Sequence, residues 1–312
     1  MRITRTKVAT AAAALLAALA TVASSGPATG ATGAGDDRET TGATVGSMTA
    51  YGSGLRVVGL TAGGRLVSFR ADSPQSVRQL GAVRGLDGDK ALIGIDYRVQ
   101  NGRLYGVGDA GGIYTISLRG GYPVATGVSR LTVPLTGTSF GVDFNPAANR
   151  LRVVNDTGQN LRHNLDDPMG VPAAGTTATD APLTFPGPPP VPATGVTAVA
   201  YTNNDLSTDT ATTLFDVDTT LDQVVVQSPA NAGLLAPTGK LGTDAGSAAG
   251  FDIYSQLSKG GATVRNTGFA TLTLVGKQVF HRVNLLTGDV TAVGAFPKSS
   301  QVVDIAIPLA QK

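Results

Sequence analysis

A short pattern that returns about every fifty residues constrains this chain more than any other feature. It runs small or apolar, apolar, usually Asp, apolar. The copies are Gly94-Ile95-Asp96-Tyr97, Gly141-Val142-Asp143-Phe144, Ala198-Val199-Ala200-Tyr201, Gly250-Phe251-Asp252-Ile253 and Val302-Val303-Asp304-Ile305. Their third positions lie 47, 57, 52 and 52 residues apart. A second pattern, two apolar runs around a Gly-, Asp- or Asn-bearing turn, recurs in the same order at 60–67, 107–114, 154–161, 217–224 and 274–280. Two independent patterns keeping one order mark a repeat architecture, in which each unit buries its apolar face only against its neighbours.

Each unit reads as four short strands with turn residues between them, and a period near fifty with four strands per unit predicts a β-propeller. The first hairpin has no Asp-bearing strand ahead of it, and the last Asp-bearing copy has no hairpin behind it. The two ends complete one another if 302–308 becomes the innermost strand of the first blade. The fold class expected is therefore all-β, a five-bladed propeller closed by pairing of the C-terminal strand with the first blade. The blades fall at 54–82 plus 302–308, 92–130, 139–178, 195–240 and 248–296. An irregular β-sandwich is the alternative. Composition agrees with an all-β reading: charged residues are 15% against about 25% in ordinary domains, too few for a helical bundle. Hydrophobics at 42% are too many for a disordered chain.

The first residues read as an address. Arg2, Arg5 and Lys7 precede an uncharged Ala-rich run from Val8 to Ala23, then Ser24-Ser25-Gly26-Pro27. That is the order of a secretory signal peptide, predicted over 1–31 with cleavage between Ala23 and Ala31. Removing those three basic residues leaves 21 Lys+Arg against 22 Asp+Glu, a formal charge of −1. The apparent basicity thus belongs to the signal, and nucleic acid is not an expected partner. Residues 32–51 read as a flexible lead-in and 52–312 as one propeller domain. With no Cys there is no lipobox, disulfide framework or thiol nucleophile. With no sorting tail and no further apolar run of spanning length, the expectation is a secreted, extracellular monomer with no transmembrane segment in its mature form.

The stretch Gly137-Thr-Ser-Phe-Gly-Val-Asp-Phe-Asn-Pro146 and the run Asn149-Arg-Leu-Arg-Val-Val-Asn-Asp-Thr-Gly-Gln-Asn-Leu-Arg162 resemble a bacterial secreted family, domain of unknown function 4394. Thr213–Asp222 and Gln227–Asn231 are similar to its fourth-blade segment. The resemblance covers about 52–308. It implies a propeller-type fold, and it brings no activity, substrate or catalytic residue.

Several motifs spell chemistry without the context it needs. Gly137-Thr-Ser139-Phe-Gly141 matches a nucleophile elbow, and Gly106-Val-Gly108-Asp-Ala-Gly111 matches a dinucleotide fingerprint. Both motifs require a helix directly afterwards, and both are followed here by strand-like sequence. Asp96, Asp143, Asp252 and Asp304 occupy matched positions on innermost strands, with Ala200 in the fifth. Repetition favours a shared structural duty, capping backbone N–H groups of the next blade, so no metal is expected; the four remain the candidates for a hard cation. Asp216, Asp218 and Asp222 lack the Gly and distal Glu of a calcium loop. His163 and His281 recur at comparable places in two blades, which again suggests structure.

The third blade is chemically distinct: Arg150, Arg152, Asn155, Asp156, Gln159, Asn160, Arg162 and His163 stand where other hairpins carry apolar residues. Arginines two apart on a strand share a face and suit a carboxylate, sulfate or phosphate. The proposed ligand set is Arg152, Asn155, Gln159, Asn160 and Arg162, the alternative being ties between blades. It is placed on the face carrying the second-to-third-strand turns, together with the connections 165–195 and 228–248. The Pro-rich stretch 182–192 reads as a stiff extended spacer. The function predicted is a non-enzymatic binding or scaffold propeller for an extracellular polymer, wall component or protein, with no catalytic residue and no cofactor. The alternative is an extracellular hydrolase or lyase acting on a glycan or polyanion.

Overall fold

The computed structural model describes residues 54–311. The expected signal peptide at 1–31 and the lead-in at 32–51 lie outside the described residues. Five four-stranded antiparallel sheets follow one another. From the innermost strand outward the second blade is Leu92–Arg98, Arg103–Gly108, Gly112–Ser117 and Val124–Arg130. The third is Phe140–Asn145, Arg150–Asn155, Asn160–Asn164 and Thr176–Thr179, and the fourth Val196–Tyr201, Leu214–Asp218, Gln223–Gln227 and Leu235–Lys240. The fifth is Gly246–Leu257, Thr263–Leu274, Lys277–Val283 and Val290–Ala295. The first blade is composite. Its innermost strand is the last of the chain, Val302–Ala306, and the others are Arg56–Thr61, Arg65–Arg70 and Ser73–Ala82.

Closure is carried by antiparallel pairs Val58 with Ala306, Gly59 with Ile305 and Leu60 with Asp304. The Gln311 side chain adds bonds to the Arg56 N–H (2.7 Å) and C=O (2.8 Å). Each innermost strand packs on those of the blades before and after it, so the five form a complete ring around an axis. This is the five-bladed closed propeller that the split repeat predicts.

The recurring motif has a packing explanation. Innermost strands approach so closely that a Cβ on Gly141 would lie 2.7 Å from the Val199 nitrogen and 2.8 Å from the Ala198 carbonyl carbon. That is why the motif begins with Gly or Ala in four of its five copies. The apolar members on either side of the Asp point the opposite way from it. Val142 and Phe144 enter a cluster with Tyr105, Ile113 and Leu161 between the second and third blades. Every pair of neighbouring blades holds such a cluster. The one between the fifth and first blades is the most aromatic, with Phe280 edge-on to Phe69 and stacked on Phe269. Innermost strands are buried throughout, as in Val196–Tyr201, whereas the outer strand Ser73–Ala82 is mostly open to solvent.

Two expectations about connections are corrected. The outer strand of the third blade, Thr176–Thr179, divides 165–195. Residues 165–175 therefore join the third strand to the outer one and emerge at the end opposite to that predicted. Leu235–Lys240 divides 228–248 in the same way. The Pro-rich stretch is no extended spacer either: Thr184–Phe185 pairs with Val191–Pro192 in a small hairpin, and Leu183 beside it is buried against Val154 and Tyr201. Composition marks the prolines as stiff but does not reveal that the chain turns back between Phe185 and Val191.

Candidate functional site

The axis of the ring is lined by carboxylates, each tied to the next blade. Asp304 accepts the Ile95 N–H at 2.7 Å and Asp96 the Phe144 N–H at 2.8 Å. Asp143 takes the Tyr201 N–H, and Asp252 takes that of Ile307 at 2.6 Å. The fourth blade has Ala200 and makes no such bond. An innermost strand presents an unpaired edge to the axis, and these carboxylates satisfy donors on it. The capping duty read from the repeat is thus present. Burial and mutual repulsion push Asp96, Asp143 and Asp304 well above the usual carboxylate range, while Asp252 is pushed up to about 7 by burial.

The third blade's polar group divides into two sets. Asn155 and Gln159 sit by the turn between the second and third strands, where both hold the segment entering the blade. The Asn155 amide donates to the Thr136 carbonyl at 2.5 Å and Gln159 to that of Pro134 at 2.8 Å. Arg152, Asn160 and Arg162 form the other set around Asp180. Arg152 reaches Asp180 and Asn160 with Nη1 (2.7 and 2.6 Å), Asn231 of the fourth blade with Nη2 (2.7 Å) and Tyr201 with Nε (3.3 Å). Arg162 grips the same Asp180 with Nε and Nη2, both at 3.0 Å. Asn160 donates to the carbonyls of Ala181 and Ala230, both at 3.0 Å.

A cavity of about 280 Å³ opens beside this second set, between the third and fourth blades. Arg150, Arg152, Arg162, Asn145, Tyr201 and Asn231 supply its polar walls, and Ala148, Val171 and Pro229 its rim. The rim belongs to turns that join first to second and third to outer strands. Of the arginine side chains Arg152 is 2% exposed, Arg150 7% and Arg162 19%. Arg162 is therefore the one with N–H groups to spare for a visitor. Its lining contains neither carboxylate nor histidine.

The other motifs resolve into structure. The Asp89 carboxylate already takes the Ala110 N–H (2.5 Å) in the glycine-rich turn, and Gly112–Ser117 follows as a strand. Ser139 leads into the strand Phe140–Asn145, and no helix follows to form an elbow. Asp218 closes its own turn through the Thr220 and Leu221 N–H groups, and Asp222 caps Ala245. The sequence gives no sign that Ser129 meets His163, its Oγ lying 2.8 Å from Nε2. The other ring nitrogen faces Thr177 Oγ1 at 2.9 Å. Burial pushes His163 down to about 4, and a base so weak, oriented by a hydroxyl, is poorly matched to activating a serine at neutral pH. His281 is buried too, and burial lowers its pKa. Asp216, fully buried, has neither carboxylate oxygen hydrogen-bonded, and burial and Asp218 hold its pKa well above the usual range against the opposing Arg152.

Five meander sheets closed by the last strand around a carboxylate-lined axis define a β-propeller. The chain belongs to the family described as domain of unknown function DUF4394, whose pattern matches residues 65–306. Among curated proteins no relative matches it. Solved structures similar to it include a protein of unknown function from Bacteroides thetaiotaomicron, at 12% identity and TM-score 0.45. That match covers 82% of this chain and 65% of the other. A Lactobacillus plantarum protein matches at 17% identity and TM-score 0.36, over 78% of this chain and 67% of the other. A structure titled Dos1 propeller matches at 13% and 0.35, over 77% and 61%. The chain thus spans about two thirds of the length of the structures it resembles.

Proposed function

We propose that this is a secreted, extracellular binding propeller that holds an acidic group of an extracellular polymer in the cleft between its third and fourth blades, without transforming it. The observation that carries this reading is the makeup of the cleft: three arginines and a tyrosine hydroxyl converge there, and nothing lining it exchanges a proton near neutral pH. A site able to hydrolyse or eliminate needs an acid or base with a suitable pKa beside the bound group. Planar guanidinium groups, by contrast, suit carboxylate or sulfate recognition. Export is supported by the basic, Ala-rich order of the first 31 residues. The test is calorimetric titration of polygalacturonate, with a neutral glucan as control, into the purified protein. Arg162→Ala should weaken acidic-polymer binding about tenfold or more, the value of one charged hydrogen bond, with the melting curve little changed. Equal binding of the neutral glucan, or undiminished binding by Arg162→Ala, would sink the proposal.

A further inference from the structure

Asp96, Asp143 and Asp252 each place a ligating oxygen within 4.8 Å of the others on the ring axis. All three are buried, Asp143 to 1% exposure. Their backbone bonds explain part of this arrangement and leave part over. Asp96 and Asp252 use both oxygens, Oδ1 on the N–H groups of Tyr97 and Ile253 (each 2.6 Å) and Oδ2 on the next blade. Asp143 Oδ1 has no hydrogen-bond partner at all. The basic residue nearest in register does not supply one. Arg152 stands directly opposite Asp143 across the paired strands, yet its guanidinium is turned to Asp180, Asn160 and Asn231. Capping alone would need one oxygen per blade and would not require three carboxylates to converge where each raises the cost of ionising the others.

We propose that Asp143 Oδ1, with one oxygen each from Asp96 and Asp252, binds a calcium ion on the axis of the ring, with Asp304 behind them adding charge. The donors are all carboxylate oxygens, which select a hard cation, and a separation of up to 4.8 Å is spanned by an ion with bonds of about 2.3–2.6 Å. Each oxygen already accepting an N–H keeps a second lone pair for the ion. Because the three aspartates come from the second, third and fifth blades, the ion ties the adjacent second and third blades to the fifth, which is next to neither in the ring. The aspartates thereby act as both edge caps and ligands.

The test uses the full-length protein, freed of divalent ions by chelator and titrated with calcium chloride. Calorimetry should count one ion per chain. At a hundredfold excess over the dissociation constant the melting temperature should rise by roughly 5 °C by mass action, and chelator should reverse the rise. Magnesium, which holds to shorter bonds and tight octahedral geometry, should give a smaller shift. Asp143→Asn keeps an acceptor for the Tyr201 N–H but removes the orphan charge, and should abolish both the heat and the shift. If that variant does not fold, the wild-type protein still decides: no bound ion and no shift at about 10 mM calcium, above the range of extracellular sites, overturns the proposal. A shift that persists undiminished in folded Asp143→Asn overturns it equally.

Discussion

Replacing Arg152 by Ala separates a structural arginine from a binding one. Its four polar contacts join the second strand of the third blade to Asp180 and Asn160 on one side and to Tyr201 and Asn231 of the fourth blade on the other. Breaking a buried ion pair by removing one partner costs about 3–5 kcal/mol. Asp180 keeps Arg162, which pulls the cost to the lower end. Against that, the buried Asn160 carbonyl and Tyr201 hydroxyl each lose a partner, at about 1 kcal/mol apiece. Asp216, with no hydrogen bond, also loses the positive charge that offsets its burial. The expected loss is about 4 kcal/mol, equivalent to a fall in melting temperature of roughly 10 °C for a chain of this size. Arg162→Ala leaves Asp180 still paired and opens a partly exposed site to water, so about 1 kcal/mol is expected. Arg152→Lys should fare little better than Arg152→Ala, because an ammonium cannot reproduce a fork aimed at four acceptors. Equilibrium unfolding in guanidinium chloride, with calorimetry in parallel, measures all three. Similar small losses for Arg152→Ala and Arg162→Ala, or full rescue by Lys, would refute the role of Arg152 as a hub between the two blades.

Asp216→Asn should stabilise the protein at pH 7. The folded carboxyl holds its proton well above 3.8 while the unfolded one releases it, so the group costs stability as pH rises past 3.8. The gain should be about 1–3 kcal/mol at neutral pH, shrinking toward zero near pH 4 in pH-dependent denaturant melts; a destabilised variant at pH 7 contradicts it. His163 predicts the opposite slope. Held down to about 4 in the fold against 6.5 unfolded, it leaves the unfolded state binding more protons in that window, so its contribution is intact above pH 6.5 and lost as pH falls toward 4. At about 1.4 kcal/mol per tenfold change in proton affinity the loss amounts to about 3 kcal/mol. His163→Gln should flatten the stability profile by that amount between pH 6.5 and 4, and an unchanged profile would show that the ring charges freely in the folded protein.

The ring was legible in the sequence because its determinants are local and repeated. The Gly or Ala that opens most motif copies, and the Asp two residues later, each answer a geometric demand that recurs in most blades. Partnerships between blades were not legible. Arg152 and Asn231 are 79 residues apart and Ser129 and His163 are 34 apart, and no period relates one member to the other. The crowding of polar residues in the third blade was visible, but its division was not. Neighbours in the chain such as Asn155 and Asn160 flank the same hairpin turn yet face different segments, Asn155 the Thr136 carbonyl and Asn160 those of Ala181 and Ala230. The orphan oxygen of Asp143 was equally hidden, since the sequence shows a matched Asp but not where the opposite arginine turns.

The composite first blade also dictates when the molecule can exist. Its second, third and outer strands are made before every other blade, yet the strand on which they rest, Val302–Ala306, is made after all of them. Until then Arg56–Thr61 has an open edge, and the fifth blade lacks the wall that Ile305 and Val302 supply to Phe269 and Phe280. Translation must therefore have passed Ala306 before the circle can close. Such long-range pairing makes maturation slow and leaves an emerging chain with sticky, half-built sheets.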